Sequence, residues 1–163
     1  MLLFKNILFI IFIPGTAIIL IPYWIIGGHP LLLLKEWSFI QYTALAPMLL
    51  GFFAFGQCIW LFATAGRGTP FPLDPPKILI VRGLYQYVRN PMYLGALLII
   101  VGEAALFIMW RLIFYAGVIF ICFHLFVVFY EEVNLRRKFG ESYLRYCSSV
   151  HRWLPGKKYD PSA

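Results

Sequence analysis

Charge is what this sequence has least of. Asp, Glu, Lys and Arg make up 13% of its 163 residues, against about 25% in an ordinary soluble domain. That is too few to coat a water-exposed surface. Acidic side chains are the scarcer sign, 7 against 14 basic ones. Cysteine is nearly absent as well. Cys58, Cys122 and Cys147 have no CxxC spacing, which argues against a disulfide scaffold and leaves no metal-ligating pattern. Two of them lie in apolar segments, where a cysteine reads as a small buried hydrophobe. There is no internal repeat and no low-complexity tract.

What fills the chain instead is apolar: 61% of residues are hydrophobic and the mean hydropathy is +0.79. These residues come in blocks of roughly 17–25, the length a helix needs to cross a bilayer. The expectation is an all-α integral membrane protein forming a single domain over residues 1–163. It has about four transmembrane helices, near residues 6–26, 39–64, 91–110 and 112–130. The first block follows a single Lys5 and lacks a small-x-small cleavage site, so it reads as a retained span. Pro91 suits the first turn of a helix, where its missing N–H is not needed. Spans three and four are separated by almost nothing around Arg111, which predicts a tight helical hairpin.

The net charge of +7 does not point to nucleic acid, because the basic residues sit where positive-inside bias puts them. Arg67, Lys77, Arg82 and Arg89 lie in the connection 65–90, and Arg136, Arg137, Lys138, Arg145, Arg152, Lys157 and Lys158 in the tail 131–163. Both termini and that connection should face the cytoplasm, in an inner or plasma membrane. Within the tail, Leu135, Phe139, Tyr143, Tyr146 and Val150 recur at three- or four-residue steps. This periodicity predicts an amphipathic interfacial helix, which Gly140 is placed to break. The connection and the tail therefore converge at the mouth of the hairpin, and so does nearly everything polar.

Candidate site residues lie at that mouth. VRGLYQYVRNPMYLG, residues 81–95, interrupts the apolar sequence with Tyr85, Arg89, Asn90 and Tyr93 around a helix start. Free N–H groups at such a start favour an anion, although Arg89 reads equally as an anchor for a lipid phosphate. Glu131 and Glu132 end the fourth span, where the helix dipole disfavours negative charge. They need a partner, either Arg136 one turn on or a cationic ligand. His124 lies seven residues before Glu131 on nearly the same helical face, as a packed hydrogen-bonding residue or a proton acceptor. Glu103 is an acid within span three, a functional candidate by position or the partner of a neighbouring helix.

GRGTPFPLDPPKILIVRGLYQYVRNPMYLG, followed one hairpin later by EEVNLRRKFGESYLRYCSSVHRWLP, resembles the isoprenylcysteine carboxyl methyltransferase and phospholipid methyltransferase superfamily of integral membrane enzymes. The resemblance rests on an Arg-Asn-Pro-x-Tyr-x-Gly block and on Glu-Glu followed by Phe-Gly-x-x-Tyr-x-x-Tyr and a basic-x-x-Pro ending. It implies S-adenosylmethionine as cofactor and a lipophilic or small-molecule methyl acceptor, with no metal. By position it implies cofactor contacts at Lys77, Ile78, Leu79, Ile80, Tyr85, Asn90, Pro91, Met92, Tyr93, Glu131 and the adjoining Glu132. His124, Glu131 and Arg89 are the candidates for chemistry. In two places the chain departs from the family pattern. Asn90 replaces the usual histidine, and Val127 stands where prenylcysteine enzymes carry a substrate-contacting arginine. Gly66-x-Gly68 has no βαβ unit around it, so the soluble methyltransferase fold does not apply. Two alternatives stand beside it: an NADPH-dependent membrane reductase related to sterol reductases, which share the motif block, and a non-catalytic small membrane subunit whose polar mouth docks a partner.

Overall fold

The computed structural model describes residues 14–28, 37–64 and 78–159. Every regular element among them is helical. The first, α1 (Thr16–Ile25), begins as a π-helix at Thr16–Leu20 and ends at Gly27 and Gly28. α2 (Phe39–Thr64) is one continuous helix with Pro47 inside it. Its bounds match the expected second span, and the helix runs on through Pro47, Gly51 and Gly56, which interrupt the apolar run in the sequence. α3 (Pro91–Leu106) has proline in its first turn, as expected. α4 (Trp110–Phe126) continues through a π-turn at Val127–Glu131 into α5 (Glu132–Phe139), and α6 (Glu141–Ser149) follows Gly140. By length and composition, α2 and the run Trp110–Phe139 are able to cross a membrane; α1 and α3 are apolar but shorter.

The hairpin turn falls earlier than the sequence suggested, at residues 107–109 instead of around Arg111. Ile108 adopts φ +49°, while Met109 N–H donates to the Ala104 carbonyl and Ile108 N–H to that of Ala105. This is the paired hydrogen-bond pattern that closes helices through a left-handed residue, a place usually held by glycine. An isoleucine there gives no warning in the sequence.

α3 packs most extensively against α2 and next against α4. The α2–α3 contact is close because glycines face each other. A Cβ on Gly51 would lie 2.6 Å from the Gly95 carbonyl oxygen, and one on Gly95 would lie 2.9 Å from that of Gly51. At the far end of the pair, buried Gln41 donates to the Leu106 carbonyl at 3.1 Å, satisfying a helix-terminal acceptor. The distribution of side chains on α2 is inverted relative to a soluble helix. Gln41 and Cys58 are buried, while Phe39, Leu49, Phe53 and Trp60 face outward, which suits a helix solvated by lipid. Cys122 of α4 also faces outward and is not the buried residue expected.

The apolar residues of the tail's stripe are covered by protein and do not face outward as an interfacial helix would. Tyr143, Tyr146 and Val150 form a buried cluster with Leu79, Val81, Leu135 and Phe139. Because the stripe meets the chain segment before α3, it fixes the tail against the mouth of the hairpin.

The glycine contact gives a direct test. Gly51→Ala forces backbone apart and should cost about 1–3 kcal/mol, as overpacking does. Gly56→Ala, with nothing within 4 Å of its added carbon, should be neutral. Unfolding of the purified protein in a denaturing detergent would distinguish them.

Candidate functional site

Tyr93 lies in the first turn of α3 and Glu131 at the end of the π-turn that follows α4. Because α3 and α4 form a short-looped hairpin, these ends are neighbours, and the Tyr93 phenol donates to Glu131 Oε2 at 2.7 Å. A hydrogen bond to a charged group of this kind contributes about 1.5–3 kcal/mol. Consecutive helical residues point roughly 100° apart, so Glu132 faces elsewhere. It is buried and accepts a two-pronged contact from Arg152, Nε to Oε1 at 2.7 Å and Nη2 to Oε2 at 3.0 Å. Arg89 Nη1 approaches Glu132 Oε1 at 3.2 Å, and Arg136 Nη2 lies 3.8 Å from Oε2.

The two adjacent acids therefore serve different ends. Glu132 is saturated by guanidinium groups, and these hydrogen bonds push the Arg152 guanidinium above its ordinary value. Glu131 has no paired cation among the described residues.

A second set of bonds ties the tail to the chain before α3. Arg89 N–H donates to the His151 carbonyl, Gly156 N–H to Tyr87 and Tyr159 N–H to Gln86, each at 2.9 Å. The Asn90 side chain donates to the Arg152 carbonyl at 3.1 Å. On the other side, Leu84 N–H donates to Gln57 Oε1 of α2 at 2.9 Å. Gly83, at φ +59°, has no room for a Cβ there, since one would sit 2.7 Å from that same oxygen. Tyr85 is held from below by the Tyr146 hydroxyl, which donates to its carbonyl at 2.6 Å. Burial pushes the Tyr85 phenol well above its ordinary value, reinforced by the neighbouring Cys58 and by Glu131 and Tyr93.

A small apolar cleft opens beside Tyr93. Pro14, Ala17, Ile18, Phe55, Met92, Tyr93, Ala96, Ile100 and Phe123 line it, drawn from α2, α3, α4 and the chain entering and forming α1. A separate cleft is lined by residues 78–82.

The expected site residues thus fall into three groups. Tyr85, Tyr93 and Glu131 come together, with Met92 beside them on the apolar cleft. Arg89, Asn90 and Glu132 form the anchor for the tail, and Pro91 is buried at the helix start. Ile78, Leu79 and Ile80 line the second cleft, and Lys77 lies outside the described residues. His124 is joined to the first group through Trp153, whose Nε1 donates to His124 Nδ1 at 3.1 Å. The Trp153 ring lies 6.5 Å from that of Tyr93 and 5.2 Å from that of Phe120.

Two of these residues, Arg152 and Trp153, were not singled out from the sequence. The signal was present: a buried acid pair demands cations, and the Arg-Trp step precedes Pro155. Read as tail charge, Arg152 was indistinguishable from its neighbours.

The phospholipid methyltransferase family profile matches residues 39–142. That stretch holds Tyr93, Glu131 and Glu132 and stops short of Arg152. The chain is also similar to two rice proteins, from Oryza sativa subsp. indica and subsp. japonica, each named "Probable protein-S-isoprenylcysteine O-methyltransferase". Each is 29% identical over 139 residues, covering 75% of this chain and 64% of the relative. The chain thus spans a little under two thirds of their length. No solved structure matches it.

Exposure sorts the three cations around Glu132. Arg89 and Arg152 side chains are 12% and 29% exposed, that of Arg136 55%. Arg152→Ala should cost about 3 kcal/mol, since it uncovers a buried charge. Arg136→Ala should cost within about 1 kcal/mol. Thermal unfolding of the detergent-solubilised variants would read the difference.

Proposed function

The chain belongs to the phospholipid methyltransferase family, and on that footing we propose that it transfers a methyl group from S-adenosylmethionine to a lipophilic or small acceptor reached from the bilayer. The observation that carries this reading is the Tyr93–Glu131 hydrogen bond at the edge of an apolar cleft. It sets a carboxylate without a paired cation among the described residues beside an apolar space. A cofactor that carries both a sulfonium and an ammonium is matched by such a carboxylate, and the donor set has no competing role for it.

The residues that would hold the cofactor are Ile78 to Ile80, Tyr85, Asn90 to Tyr93, and Glu131, with Lys77 preceding them. When bound, S-adenosylmethionine supplies a methyl group already activated on sulfur. The protein's contribution is then to align the acceptor and exclude water, which is worth up to about 7–11 kcal/mol. Glu132, Arg89 and Arg152 hold the rim rigid, and Phe55, Phe123 and Ile100 keep the acceptor's path dry. Val127 is buried and apolar where a prenylcysteine enzyme carries arginine, so the preferred acceptor is not a prenylcysteine carboxylate.

Four membrane crossings belong to this proposal, with the shorter α1 and α3 completing the pair of long helices. So do a single domain over 1–163, cytoplasmic termini, location in an inner or plasma membrane, and a C-terminal face at the lipid headgroups. The basic connection and tail support that orientation. Neither the family profile nor the relatives favour a reductase or a non-catalytic subunit.

Purified protein in lipid nanodiscs should bind labelled S-adenosylmethionine saturably and NADPH not at all. Incubated with extracted membrane lipids or small thiols, it should add one methyl unit to an acceptor, seen by mass. Glu131→Gln should weaken cofactor binding about tenfold or more, the size of a lost charged hydrogen bond, and abolish the mass gain. NADPH binding in place of S-adenosylmethionine, or an unaffected Glu131→Gln variant, would refute the proposal.

A further inference from the structure

We propose that Trp153 is a positioning residue that fixes the tautomer of His124, engaging the Nδ1 lone pair and leaving the imidazole to donate a hydrogen bond through Nε2. The geometry is direct. An indole N–H is a donor only, and Trp153 Nε1 lies 3.1 Å from His124 Nδ1. Nδ1 must therefore present its lone pair. A neutral imidazole has one proton to place, and with Nδ1 accepting, that proton is on Nε2.

The clamp is held from behind. Arg152, the residue before Trp153, is gripped by Glu132, and its carbonyl accepts from Asn90. The indole packs edge-on against Phe120 at 5.2 Å and against Tyr93 at 6.5 Å. Its position is thus set by the same ion cluster that frees Glu131, and it spans the distance between His124 and Tyr93. Among the described residues no partner is bonded to Nε2 of His124, which leaves that N–H available.

The consequence for the acceptor rests on the methyl-transfer reading. With Trp153 in place, the basic nitrogen of His124 is occupied. An acceptor must then arrive with its lone pair already exposed, as a carboxylate or an unprotonated amine does, or lose its proton to a group other than His124.

The test needs no turnover. Protein labelled with ¹⁵N-histidine in nanodiscs would be examined by NMR at neutral pH, with His124→Gln identifying the His124 signals among the three histidines. The expected wild-type spectrum shows Nδ1 unprotonated and Nε2 protonated. A protonated Nδ1 in the wild-type protein would overturn the proposal without recourse to any variant. Trp153→Phe keeps the ring but removes the donor, and should replace the single tautomer with a mixture. An unchanged tautomer in Trp153→Phe would equally overturn it. Should the clamp behave as expected while the wild-type protein fails to bind labelled S-adenosylmethionine, the tautomer assignment stands and only the transferase reading falls.

Discussion

The hydrogen bond from Tyr93 to Glu131 joins two polar segments 38 residues apart in sequence, and the rest of the structure is arranged so that it forms. It requires α3 and α4 to be antiparallel and in register at their polar ends. The register is set at the opposite end, where residues 107–109 reverse the chain with Ile108 in a left-handed conformation. α3 is held in place by the glycine contact with α2, which lets the two backbones approach as closely as facing carbonyls allow. The π-turn then carries the fourth apolar helix into its charged continuation. Widened turns of this kind recur at functional sites.

The pair of acids shows why a sparse polar inventory suffices. A buried carboxylate without partners is costly, and two adjacent ones more so. Here cations offset the cost for one acid only, while the other has the Tyr93 hydroxyl. Glu132 collects Arg89 and Arg152, the first from the chain before α3 and the second from the tail, and so binds three distant segments into one rim. Glu131 is left facing Tyr93, so neighbouring acids that differ in the direction they point take different partners. Removing the tail would then act on the site by loosening Glu132, without touching Glu131 directly.

Much of this was legible beforehand, for reasons that can be named. The bounds of α2 followed from one long charge-free apolar run, and the start of α3 from Pro91. The convergence of 81–95 with Glu131 followed from the short link between two apolar blocks. What was not legible depended on contacts between distant segments. The turn at 107–109 is shaped by a left-handed isoleucine that has no glycine signature. The amphipathic stripe from Leu135 to Val150 was periodic enough to predict a helix. Nothing in the periodicity said that Leu79 and Val81, and not lipid, would cover it. Arg152 and Trp153 belong to a segment with no regular structure, placed by backbone bonds to residues 86–89 and by the Asn90 side chain. No local pattern encodes such bonds.

The central claim is that Tyr93 and Glu131 act as one unit gripping the cofactor. A double-mutant cycle of Tyr93→Phe and Glu131→Gln, read by S-adenosylmethionine affinity, tests it most directly. If the claim holds, the double variant binds no more weakly than the worse single one, with a coupling of about 1.5–3 kcal/mol. Losses that simply add would show that the two residues act independently, and would contradict this account.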